Sequence, residues 1–290
     1  MNRMNQVQIG VCGWGDHVFS TQASKTKNKL VDYTSHFPIV ELDSTFHAIA
    51  DVDRIVKWVE QTPETFRFLV KPYRELTGHG RPSHFPERPW EEIVKAVKES
   101  FEPMRLAGKC ELMLFQFPPW YDCSQKHVRY IRKVKEAFSE YRLAIEFRNQ
   151  SWFSESMLDH TLRFLTDEKL VHVVCDEPQA GIHSVPIVVA STHPTYSVVR
   201  FHGRNKVGWD QPGNPNWRDI RYAYDYSDKE ISEWVPRIQS LATSSQEVYV
   251  LFNNNSQGHA VKSARKMMKQ LGISYEGLAP RQLSLLDWME

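Results

Sequence analysis

The sequence predicts an α/β fold, a single closed (β/α)8 TIM-like barrel with long loops after its strands and one irregular crossover. Three observations carry that expectation. Eight stretches run almost continuously apolar, as parallel strands buried on both faces must. Most are separated by segments with apolar residues at spacings of three and four, so strand and helix alternate through right-handed crossovers. Seven of the eight runs carry an ionisable or amide side chain near the carboxyl end, where a barrel of this kind forms its pocket.

In chain order, VQIGVCGW places a strand at about 7–12 and KTKNKLVDYTSHF a helix, followed by IVELD as a strand at about 39–43. DVDRIVKWVEQ is helical with Asp51 as its N-cap, FRFLVK a strand at about 66–71, and Trp90 to Leu106 a long helix. LMLFQF (about 112–117) and LAIEFR (about 142–147) flank SQKHVRYIRKVKEAF, which Ser124 caps. SESMLDHTLRFLTDE, with Ser154 as cap, leads into VHVVCD at about 171–175. SVVRFHGR (about 196–202) and VYVLFNNN (about 247–252) complete the strands. SDKEISEWVPRIQSLA, capped by Ser227, lies between them, and GHAVKSARKMMKQLG follows, with Gly272 at the C-cap position. Three long connections leave strand ends, at 72–89, 177–195 and 203–227; PIVVAS in the second predicts an extra short strand in place of a helix. Trp209, Trp217, Tyr222, Tyr224 and Tyr226 in the third suit a lid, over substrate or merely over the barrel mouth.

At 290 residues the chain has the size of one barrel, so 1–290 is read as a single domain with its core at about 7–272 and a C-terminal tail at 273–290. Hydrophobic residues at 41%, charged residues at 24% and a formal charge of +1 give no bulk attraction to nucleic acid or to an anionic membrane. No signal-peptide pattern and no run of eighteen apolar residues is present, so a cytoplasmic location and no membrane partner are expected. Cys12, Cys110, Cys123 and Cys175 lack CxxC or zinc-site spacing and read as buried thiols rather than a disulfide frame.

Residues two apart on a strand share a face, which pairs Glu41 with Asp43, Glu146 with Arg148, and Arg200 with His202. Lys71, Arg148, Arg200 and Arg204 would hold an anion, and Glu41, Glu146, Asp176 and His202 are the candidate acids and bases. Gln116, Asn253 and Asn254 could orient hydroxyl groups, although turn chemistry is the preferred reading of Asn254 and Asn255. Salt bridges that merely neutralise one another inside a barrel are the structural alternative. Trp14, Phe46, Trp120 and Trp152 follow strand ends, either as stacking surfaces or as core. The same carboxylates and imidazole could hold a divalent metal, but a lysine and two arginines beside them repel a cation, so no metal ligand is assigned.

ELDSTFH, FLVK, LFQFPPW, IEFRNQSW, VVRFHGR and VLFNNN occur in that order over nearly the whole chain, which resembles the uncharacterised YecE/YunF-like family, domain of unknown function 72. The resemblance implies a cytosolic barrel, often described as sugar-isomerase-related, without an established reaction. It places the family's polar signature on Glu41, Ser44, Thr45, Lys71, Gln116, Glu146, Arg148, Trp152, Asp176, Arg200, His202, Gly203, Asn253 and Asn254. Asp43 stands where the family has Asn, His47 where it has Tyr, and Asn149 where it has His.

The resulting expectation is an enzyme acting on a small anionic, polyhydroxylated compound, a sugar phosphate or sugar acid, by isomerisation or hydrolysis at the barrel mouth. Catalysis falls to Glu41, Glu146, Asp176 and His202, and binding to Lys71, Gln116, Arg148, Trp152, Arg200, Arg204, Asn253 and Asn254. Two alternatives stay open: a metal-dependent phosphodiesterase or endonuclease-like barrel acting on nucleic acid, and a ligand-binding barrel without turnover.

Overall fold

Aliphatic and aromatic residues fill both faces of β1 Val7–Cys12, β2 Ile39–Leu42, β3 Arg67–Val70, β4 Cys110–Gln116, β5 Leu143–Glu146, β6 Val171–Asp176, β7 Tyr196–Phe201 and β8 Glu247–Phe252. Each strand pairs in parallel with the next, and β8 returns to β1, which closes the barrel and leaves no exposed sheet edge. The computed structural model describes residues 6–15, 17, 19, 28–80, 87–181, 184–209 and 220–280. Trp217, the middle of two long loops and the end of the tail lie outside the described residues. A Cβ at Gly10 would stand 2.1 Å from the Ile39 carbonyl oxygen, so β1 and β2 approach there as closely as glycine alone permits.

The connecting helices are α1 Lys29–Thr34, α2 Ser44–His47, α3 Val52–Glu60, α4 Trp90–Leu106, α5 Gln125–Ala137, α6 Leu158–Asp167, α7 Lys206–Trp209, α8 Asp228–Ser244 and α9 His259–Leu271. Ser227 caps α8 in a full capping box with Glu230, and Gly272 closes α9 in the left-handed conformation, φ 64°. Asp51 and Ser124 occupy N-cap positions without a side-chain bond to their helices. Ser154 does not cap a helix, since α6 begins only at Leu158. The first helix is also shorter than its sequence pattern, because the Asn28 side chain caps it by accepting from Val31 N.

The connection after β6 corrects one expectation: PIVVAS is irregular and pairs with no strand. Pro186 has no N–H for a ladder, and the segment is tied on by side chains instead. His172 Nε2 meets the Val188 carbonyl at 3.1 Å, while Thr192 Oγ1 accepts from His172 N at 2.8 Å and donates to the Leu170 carbonyl at 2.7 Å. At the amino-terminal end of the barrel, Ile9 N donates to Tyr275 Oη at 2.7 Å, so residues after α9 tie back to β1. No helix among the described residues is long and apolar enough to cross a membrane.

Candidate functional site

The three pairs expected to share a face all turn inward at the carboxyl end of the barrel. Arg200 lies at the centre, fully buried, donating to Glu41 Oε2 from Nε at 2.8 Å and to Glu41 Oε1 from Nη2 at 2.5 Å. Its Nη1 donates to Glu146 Oε2 and, at 3.1 Å, to Gln116 Oε1. Arg148 donates from Nε to Glu146, from Nη1 to Glu177, and from Nη2 to His202 Nε2 at 2.8 Å. Lys71 Nζ donates to Asp43 Oδ1 at 2.7 Å and to Gln116 Oε1 at 3.4 Å, and the Asn253 amide stands 3.1 Å from His202 Nδ1. A continuous chain of polar contacts therefore runs from Asp43 through Lys71, Gln116, Arg200, Glu146, Arg148 and His202 to Asn253. It crosses the mouth from the end of β2 to the end of β8.

The charges set one another's state. Burial opposes ionisation of Glu146, yet Arg148 and Arg200 outweigh it and hold its carboxyl well below the usual range. Glu177 moves the other way: burial raises it, and Arg148 with the Val185 N–H offsets only part of that rise. His202 is kept neutral by burial and then by Arg148. A guanidinium can only donate, so His202 Nε2 is the acceptor in its 2.8 Å contact with Arg148 Nη2. Above this floor, His79 is pushed down to about 4 by burial and by Lys71, Arg74 and Arg148, which marks a positive potential at the mouth. Lys71 Nζ also lies 4.3 Å from the centre of the Phe46 ring, and the Arg221 guanidinium lies 3.7 Å from the Trp209 ring.

Four of the expected site residues stand elsewhere. Asp176 points outward between the barrel and α8, accepting from Arg204 Nη2 at 2.6 Å, Tyr226 Oη at 2.8 Å and Trp234 Nε1 at 2.5 Å. Alternation explains it: with Asp176 outward, Cys175 and Glu177 turn inward. Arg204 follows Asp176 out of the mouth network. Trp152 is core, stacked on Phe147 at 3.9 Å and donating to the Tyr121 carbonyl at 2.8 Å. Asn254 is buried and ties the loop after β8 to the Tyr224 carbonyl at 2.8 Å and to Ser263 Oγ at 3.1 Å.

Glu177, Cys175 and His79 join the site without having been expected there. Glu146, Cys175 and His202 offer ligand atoms within 4.8 Å of one another. That triad suits a resident cation poorly: Arg148 and Arg200 already occupy Glu146, and burial, then Glu146, pushes the Cys175 thiol up, away from the thiolate a metal needs. The four cysteines are free, with Cys12 and Cys175 buried and Cys110 and Cys123 partly so. Trp120 is an exposed aromatic in the loop after β4, 66% accessible.

Comparison with known proteins gives consistent relatives. Residues 8–285 match the family described as "Protein of unknown function DUF72". The chain is 46% identical over 282 residues to the UPF0759 protein YunF of Bacillus subtilis (strain 168), covering 96% of this chain and 99% of that one. Among solved structures, a DUF72 family protein from Enterococcus faecalis V583 at 3.10 Å superposes with a TM-score of 0.88 at 33% identity, over 96% of this chain and 100% of that chain. Another, from Thermotoga maritima MSB8 at 2.20 Å, gives 0.76 at 28% identity, over 92% of this chain and 100% of that chain.

Proposed function

The chain belongs to the DUF72 family of barrel proteins, and from that premise we propose that its mouth binds and transforms a small anionic, polyhydroxylated compound, a sugar phosphate or sugar acid. The carrying observation is the polar chain from Asp43 to Asn253, which sets cationic and amide groups over buried carboxylates. Gln116 and Asn253 are half-buried and Lys71, itself buried, lies against the half-exposed Asp43; these three receive the ligand, with Lys71 and the nearby Arg148 on its charge and the two amides on its hydroxyls. Arg148 bridges two carboxyls whose proton affinities are driven apart, Glu146 down and Glu177 up. Such a split separates their roles: Glu146 stays ionised as the counter-charge of Arg148 and Arg200, and Glu177, the carboxyl with the higher proton affinity, is the one that takes up and returns a proton. Neutral His202 orients a hydroxyl beside them. Glu41, locked on Arg200 by two bonds, keeps that guanidinium in place rather than meeting the ligand. Isomerisation through proton transfer follows most directly from this pair; hydrolysis needs only a water in place of the second carbon.

The test is a thermal-shift and calorimetry panel of sugar phosphates and sugar acids on the full chain, repeated with Lys71→Met. The reading requires at least one compound to stabilise the wild type, with a rise of about 2.7 kcal/mol at one hundred times its dissociation constant, and binding to weaken in the variant. A panel without any stabilising compound would end it.

A further inference from the structure

At the opposite end of the barrel, where β5 and β6 begin, lies a cavity of about 430 Å³, within the usual range for small-molecule sites. Leu143, Leu170 and Val171 supply apolar wall, while Arg132, Lys135, Arg142 and Lys169 stand against two carboxylates, Glu136 and Glu168. Arg132 and Lys135 both bond Glu168, each at 2.7 Å, and so are largely satisfied. Arg142 is looser, 3.5 Å from Glu111 with its side chain 58% exposed, and among the described residues Lys169 has no carboxylate partner. The surplus positive charge therefore belongs to Arg142 and Lys169. His193 reports it, being lowered by burial and then by these two cations. His193 Nδ1 accepts from Thr195 N at 3.1 Å, so the neutral ring carries its proton on Nε2 and adds a donor.

A second, independent observation falls at the same place. Lys169 has φ +53°, in the left-handed region, just past the end of α6, where glycine or asparagine is favoured. A lysine there costs stability, and a strained residue kept at a cavity wall points to a function for its side chain. We propose that this cavity is a second binding site, taking a small organic anion whose apolar body rests on Leu143, Leu170 and Val171 and whose carboxylate or phosphate is held by Arg142 and Lys169. The proposal is independent of the chemistry assigned to the mouth.

Phenylacetate, phenyl phosphate and the uncharged phenylacetamide serve as probes, in calorimetry and thermal unfolding of the full chain. At least one anion binds, and the amide binds about tenfold more weakly or not at all; which anion is the tighter identifies the headgroup. Lys169→Gly raises the melting temperature of the unliganded protein by about 1–3 °C through relief of strain and weakens the anion about fivefold or more. Lys169→Arg retains binding, Arg142→Ala weakens it, and Lys71→Met leaves it unchanged. Absence of binding by both anions overturns the proposal. Binding unchanged in both Lys169→Gly and Arg142→Ala does so too, as does binding lost in Lys71→Met, which places the probe at the mouth.

Discussion

Replacing Arg200 with methionine tests whether the floor of the mouth is a single charge network. The change removes two bonds to Glu41, one to Glu146 and one to Gln116. Glu146 keeps Arg148, but Glu41, buried with 0% exposure, is left without a cation. Stranding one partner of a buried pair costs about 3–5 kcal/mol, a large part of the roughly 5–15 kcal/mol that holds a domain folded. At about 2–4 °C per kcal/mol for a chain of this size class, the melting temperature should fall by roughly 6–20 °C. Urea unfolding followed by circular dichroism measures the loss. Removing the stranded carboxylate as well, in Glu41→Leu with Arg200→Met, should recover part of it, with a coupling of about 2 kcal/mol or more. A single variant that loses less than about 1 kcal/mol, or a double variant whose losses simply add, would refute the coupling of these charges.

Further outcomes follow from the same geometry. His172 is held down to about 4 by burial, and its Nδ1 has no hydrogen-bond partner among the described residues. The unfolded ring takes a proton below its ordinary 6.5 while the folded one refuses it down to about 4, so this contribution is full above pH 6.5 and lost as pH falls through that window. The loss is up to roughly 3 kcal/mol, and in His172→Phe urea midpoints should be flatter between those limits. Asp176→Asn should cost about 2–3 kcal/mol by weakening the contacts to Arg204, Tyr226 and Trp234, while ligand binding at the mouth survives. Binding lost with stability intact would return Asp176 to the site. Gly10→Ala forces its Cβ onto the Ile39 carbonyl and should cost about 3 kcal/mol or more, read as a drop in soluble yield and melting temperature. An alanine variant of wild-type stability would mean that β1 and β2 can separate.

The fold was legible because its strands are buried on both sides, and nothing but an apolar run fits there, as LMLFQF and VYVLFNNN illustrate. That same property hid part of the site. Apart from His172, β6 is apolar on both faces up to its end, so composition alone does not say whether Asp176 or Glu177 faces the axis, and the charge inside the run reads as the inward one. Strands whose ends carry two polar groups of one parity, IEFR and VVRFH, gave the right inward pair without that ambiguity. PIVVAS misled for a related reason: apolar composition is needed to pack on the barrel's outside as much as to join a sheet, and only Pro186 hinted that no ladder would form. Trp152 and Asn254 sit where loops turn back onto the barrel, and whether such a residue meets ligand or neighbour depends on loop paths that local spacing does not encode.

The network divides its work by how much bonding capacity each member has left. Arg200 spends its donors on Glu41, Glu146 and Gln116, and Arg148 spends its own on Glu146, Glu177 and His202, so both guanidiniums are fixed from several directions. Fixed donors of that kind cost no reorganisation when charge moves between the carboxyls they bridge. Lys71 has a third N–H beyond its bonds to Asp43 and Gln116, and its partner Asp43 is itself 45% exposed. A ligand anion can therefore compete for Lys71 without dismantling the floor, whereas reaching Arg200 would strip Glu41. On the proposed reading, substitutions at Lys71 should change affinity while stability stays near that of the wild type, and substitutions at Arg148 should change both.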